Sequence, residues 1–128
     1  MFELTIKDKV YSFNFGMGFL REINKLIATP VDGVKNVEKN IGLRYYIAGI
    51  IDYDLEALCI VLETANKGFN PRLSKQDLDA YIDDENTDID ELFSTVMDFL
   101  KQANATKKTV ADLLEAMEAQ KAEAEAKA

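Results

Sequence analysis

The chain has 128 residues, 48% of them hydrophobic, enough for one domain with a substantial core. Its 23 acidic and 15 basic side chains leave a formal net charge of −8, which opposes docking on phosphate backbones or anionic lipid. Nucleic acid and membrane are thereby set aside as expected partners.

The first fifteen residues alternate. Phe2, Leu4 and Ile6 mark one face of a strand, and Tyr11, Phe13 and Phe15 one face of a second. A hairpin turning at Asp8-Lys9, or with a four-residue loop in the same register, pairs Ile6 with Tyr11, Leu4 with Phe13 and Phe2 with Phe15. All six side chains then share one greasy face. Two strands do not stand alone in water, so that face is expected to pack on helices, with the outer strand edge left for a neighbour.

Gly16 and Gly18 break the strand, and the spacing turns helical. Phe19, Leu20, Ile23, Leu26 and Ile27 predict a helix ended by Thr29-Pro30. Residues 31–40 read as a loop. A second helix is expected from about Ile41, carrying Leu43, Tyr46, Ile47, Ile50 and Ile51. A third begins near Asp52 or Asp54, with Leu55, Leu58, Cys59, Leu62 and Ala65 inward and Gly68 as terminator. Ser74-x-x-Asp77 has the form of a capping box and opens a short helix with Leu78, Tyr81 and Ile82 inward. Asp88-x-x-Glu91 opens another, with Ile89, Leu92, Phe93, Val96, Phe99, Leu100 and Ala103 on one face. Thr109-x-x-Asp112 is the expected cap of a last helix, whose apolar stripe is Val110, Leu113, Leu114 and Met117. Beyond Met117 only Ala, Glu, Lys and Gln occur, a composition that favours helix but has nothing to bury.

The charge is concentrated. Eight carboxylates and no Lys or Arg lie between Asp77 and Glu91, and the other 15 acids offset the 15 bases. Asp83, Asp84, Glu85 and Asp88 form the centre of this surface. It reads either as a solvated segment that aids solubility or as an attractor for a basic partner.

Catalytic chemistry has little to work with. The chain has no His and no Trp, and Cys59 is its one cysteine, so an internal disulfide and an ordinary zinc site are excluded. Cys59 sits among Leu58, Ile60 and Val61, as a buried thiol would. Two acidic stretches match calcium loops only in part: Asp84, Asn86 and Asp88 lead to Ile89, and Asp52, Asp54 and Glu56 lead to Ala57, where the sharp turn needs glycine. Gly16-Met17-Gly18 is too short for a phosphate loop. No metal or cofactor is expected, and the chain reads as a non-enzyme.

The blocks VYSFNFGMGFLREINK (10–25), IGLRYYIAGIIDYDLEALCIVLETAN (41–66) and DIDELFSTVMDFLKQA (88–103) resemble, in pattern and order, the tail assembly chaperones of long-tailed phages of Gram-positive bacteria. The resemblance covers roughly residues 1–105. It implies a protein that coats the tape measure protein and helps recruit tail tube subunits in the host bacterial cytoplasm, and that is not expected in the finished virion. It also implies a longer form made by ribosomal frameshift, with the spacer after Met117 near the junction.

The expected architecture is α+β, mostly α: an N-terminal β-hairpin packed on a bundle of about five helices, with a C-terminal amphipathic helix or tail. Residues 1–104 are expected as the chaperone domain and 105–128 as an Ala/Glu/Lys-rich helical or flexible tail. The Val110–Met117 stripe is expected either to bind a partner or another copy of the chain, or to dock on its own domain. A competing reading is a small acidic adaptor or inhibitor that binds a basic host protein through the Asp77–Glu91 cluster.

Overall fold

Alternation at the N-terminus produces the expected hairpin, with β1 (Phe2–Ile6) antiparallel to β2 (Lys9–Phe13) in the computed structural model, which describes residues 2–127. The register differs from expectation. Phe2 pairs with Phe13, Leu4 with Tyr11 and Ile6 with Lys9, so the turn is Lys7-Asp8. Both turn residues have positive φ, 51° and 65°, the backbone of two-residue hairpin turns that match strand twist. A slip of two residues leaves every side chain on its face, because the strand period is two. Phe2, Ile6, Tyr11 and Phe13 are buried, and Leu4 is half-buried against the core.

The shorter register has a physical cause. It ends β2 at Phe13 and releases Asn14, whose N–H donates to the carbonyl of Ala65 at 2.9 Å while its Oδ1 accepts from Gly16 N–H. Phe15, outside the ladder, packs edge-on against Phe19 with ring centroids 5.2 Å apart.

Helix α1 (Met17–Asn24) stops well short of Thr29. Asn24 ends it by turning its side chain to the next helix, where Oδ1 accepts the N–H of Leu43 at 2.9 Å. Leu26 and Ile27 therefore leave the expected helical face: Leu26 is exposed and Ile27 half-buried. The chain then forms a second hairpin where a loop was expected, with β3 (Ala28–Pro30) pairing β4 (Glu38–Asn40). Gly33 and Asn36, both with positive φ, shape the connection between them.

Helix α2 (Gly42–Ile51) starts hard against α1. A Cβ on Gly42 would lie 1.8 Å from the Ile23 carbonyl oxygen, so only glycine fits this crossing. α3 (Leu55–Asn66) comes after a tight corner in which Tyr53 takes a left-handed φ of 60° and Asp54 caps the helix, accepting from Glu56 N–H at 3.0 Å. α4 (Lys75–Asp83) and α5 (Ile89–Gln102) start at the expected caps, with Ser74 Oγ accepting from Asp77 N–H and Asp88 Oδ1 from Glu91 N–H.

α6 (Lys107–Lys127) begins two residues before Thr109, so Thr109 is not its cap. The residue at the junction is Thr106, fully buried, whose hydroxyl donates to the Leu100 carbonyl at 2.6 Å and ties the new helix to the end of α5. Among the described residues, six helices beside two small hairpins make the fold α+β and mostly α, as the sequence predicts.

One hydrophobic cluster runs from Phe2 to Val110. Its polar keystone is Asn66, with 0% exposure. The Asn66 amide donates to the carbonyls of Ser12 (3.0 Å) and Pro71 (3.4 Å), and its oxygen accepts from Leu73 N–H (2.6 Å) and Arg72 Nη1 (2.7 Å). One side chain thus joins β2, the end of α3 and the loop before α4. A buried amide with both ends satisfied costs little in place and much to break.

Candidate partner-binding surfaces

The α6 stripe is divided by the fold. Val110 is 1% exposed within the cluster, Leu113 and Leu114 are half-buried against it, and Met117 is exposed. From Glu115 to Ala126 every residue is exposed. The docked part of α6 packs against α5 and α2.

The acidic segment is mostly solvent-facing, and Asp83, Asp84, Glu85 and Asp88 are all exposed. Two of these carboxylates have local duties. Asp84 Oδ1 accepts from Asn86 N–H, and Asp88 caps α5. Asp77, at the start of the run, pairs with Lys7 at 3.0 Å, and that hydrogen bond holds its carboxyl below the usual range. The hairpin turn is thereby tied to α4.

Of the six residues of the hairpin face, Phe2, Ile6, Tyr11, Phe13 and Phe15 are buried in the core cluster and Leu4 is half-buried against it; the strands lie on α3 and α4, and α5 meets the face through Phe99. Phe2 packs on Phe99 with centroids 5.1 Å apart, and Phe15 is buried beside them.

A fourth surface was not expected from the sequence. A groove of about 850 Å³ opens between α2, α3 and α4. Its apolar lining comes from Ile27, Tyr45, Tyr46, Leu55, Ile60 and Ile82. Tyr45 is 56% exposed and Leu55 41% exposed, so both present greasy surface to solvent. Tyr45 stands edge-on to Tyr46, with ring centroids 5.2 Å apart. α2 and α3 can approach closely beneath because Gly49 faces Ala57; a Cβ on Gly49 would be 2.6 Å from the Ala57 Cβ.

Asp52, Asp54, Glu56 and Asp79 border this groove, against the single cation Lys75 among its lining residues. The electrostatics register on Cys59 within it. Burial pushes the Cys59 thiol up to about 11, and the carboxylates of Asp79, Glu63, Glu56 and Asp83 add to the shift. A thiol so shifted is a poor nucleophile at neutral pH. Sequence spacing shows only that α2 has an apolar residue, Tyr45, outside the inward set of Leu43, Ile47 and Ile50; it does not show what stands beside it. A helix apolar on more than one side has a second surface to cover.

Among the described residues no cluster of three or more His, Cys, Asp or Glu side chains is placed to hold a metal ion. No helix among them is long and apolar enough to cross a membrane. Searches of curated proteins and of solved structures returned no match. A family model described as "Phage tail assembly chaperone protein, TAC" matches residues 3–115, from the first strand to the point on α6 where the buried positions end. The chain belongs to the phage tail assembly chaperone family.

Proposed function

We propose that this chain binds the tape measure protein, keeps it soluble, and helps recruit tail tube subunits during tail morphogenesis. It acts by reversible protein binding in the host bacterial cytoplasm, with no bond made or broken, and leaves before the virion is finished. The observation that carries this reading is the family match over residues 3–115.

Physical chemistry supports it. A long helical protein awaiting its tube exposes apolar stripes, which aggregate unless covered. This chain offers exposed apolar side chains beside carboxylates that keep the complex in solution. The α6 stripe is a further contact: Met117 is free to bind as it stands, whereas Val110, Leu113 and Leu114 would serve a partner or a second copy only after α6 undocks.

The test is co-expression with the tape measure protein of the same phage. The expected result is a soluble tape measure that co-purifies with this chain. A tape measure that aggregates equally with and without the chain would remove the proposal. The exposed Asp83-Asp84-Glu85 run favours the acidic-adaptor reading as the competitor. Under that reading, binding to a basic host protein collapses with salt and with neutralisation of those three carboxylates.

A further inference from the structure

The groove between α2, α3 and α4 combines two features that select an occupant. Apolar side chains from three helices line it, with Tyr45 and Leu55 held open to solvent at a site large enough for a row of side chains. Its border carries four carboxylates against Lys75. An apolar stripe alone would satisfy the apolar lining; only a stripe bordered by cations also satisfies the carboxylates.

The chain's own exposed helix does not fit. From Glu115 to Ala126, α6 carries four glutamates against one lysine, so a second copy's tail would bring like charge to an acidic rim. A basic partner helix reverses that sign.

We infer that this groove receives an amphipathic helix of the partner polypeptide, its apolar stripe bordered by Lys or Arg. The assignment rests on the chaperone reading for the partner's identity, and on the groove's own chemistry for the class of helix. Tyr45 and Leu55 are the apolar contacts, and Glu56 and Asp79 meet the flanking cations. Because the rim is exposed, its contribution weakens with salt while the apolar contacts persist.

The probe is a fluorescein-labelled synthetic helix of about 18 residues, five turns, built from Leu, Ala and Lys with the Lys flanking the Leu stripe. Its counterpart has Glu in place of Lys. Binding to the full chain is read by fluorescence anisotropy. The Lys peptide should bind, and the Glu peptide should bind roughly tenfold more weakly or less. Tyr45→Ala with Leu55→Glu should weaken the Lys peptide by roughly tenfold or more. Both positions are exposed, and an unchanged circular dichroism melt verifies the fold.

Reversing the rim with Glu56→Lys and Asp79→Lys should invert the preference toward the Glu peptide, which a merely damaged fold would not do. Asp84→Lys with Glu85→Lys, in the acidic segment, should leave the preference as it is. Equal binding of both peptides, or loss caused by the Asp84/Glu85 variant and not by the groove variants, overturns the inference. The tape measure protein separates the two readings. If it stays fully bound to the Tyr45/Leu55 variant, the groove assignment fails and the chaperone reading stands. If it never binds the unmodified chain while the peptide effects hold, the chaperone reading fails and the groove assignment stands.

Discussion

The two hairpins among the described residues share a secondary structure and little else. β1–β2 has five paired positions and an aromatic face sunk in the core, and its turn is tied to α4 through Lys7 and Asp77. β3–β4 has three paired positions; Glu38, Lys39 and Asn40 are all exposed, and Val34 and Val37 stand open to solvent in its connection. The first hairpin is held by what lies beneath it. The second is held at its foot, where Ile41 N–H donates to the Ile27 carbonyl and Gly42 presses on α1.

If burial is the difference, substitutions should grade accordingly. Phe13→Ala removes a fully buried ring from the first hairpin and should cost about 3–5 kcal/mol in urea unfolding. Asn66→Ala should come next at roughly 2–4 kcal/mol, since Leu73 N–H and the Ser12 carbonyl lose the buried Asn66 side chain as partner. Gly42→Ala, at the foot of the second hairpin, should cost about 1–3 kcal/mol, because its Cβ meets backbone rather than a yielding side chain. Val37→Ser should change stability by no more than about 0.5 kcal/mol. A Val37 effect approaching that of Phe13 would break the contrast.

The smallest effect belongs to the exposed turn. The Asp77 carboxyl is lowered from its ordinary 3.8 by Lys7, so its contribution is present above that value and lost as pH falls through the lowered one. Lys7→Ala should therefore lower the urea midpoint slightly at neutral pH, and the difference from the unmodified chain should vanish in strong acid. A difference that persists there would point to packing by the lysine stem instead.

The same contrast explains what the sequence disclosed. Alternation announced the first hairpin because one of its faces had to be apolar, yet the period of two could not distinguish pairings two residues apart. The second hairpin has no buried face to shape its residues, and Leu26 and Ile27 extended the helical spacing past the true end of α1. That end is set by Asn24 reaching Leu43, nineteen residues away, a contact no local pattern records. Caps that act within one turn, at Ser74 and Asp88, were legible for the opposite reason, while at the start of α3 the sequence offered Asp52 and Asp54 equally and the structure caps with Asp54. Of the candidate surfaces, the acidic segment and the α6 stripe could be read from composition. The groove could not, since Tyr45, Leu55 and Ile82 come from three helices and become neighbours only when those helices pack.

Helix α6 is fixed to the core at its N-terminal end. Its first turns are anchored by Val110 and Thr106, and the docked part nucleates a helix that Ala, Glu, Lys and Gln then propagate. At a rise of about 1.5 Å and a rotation of about 100° per residue, the stretch from Glu115 to Glu125 forms a strut about 15 Å long with a defined bearing. Whatever is attached along that strut inherits an orientation from the core. Inserting two residues after Met117 would swing it by roughly 200° while advancing it only about 3 Å.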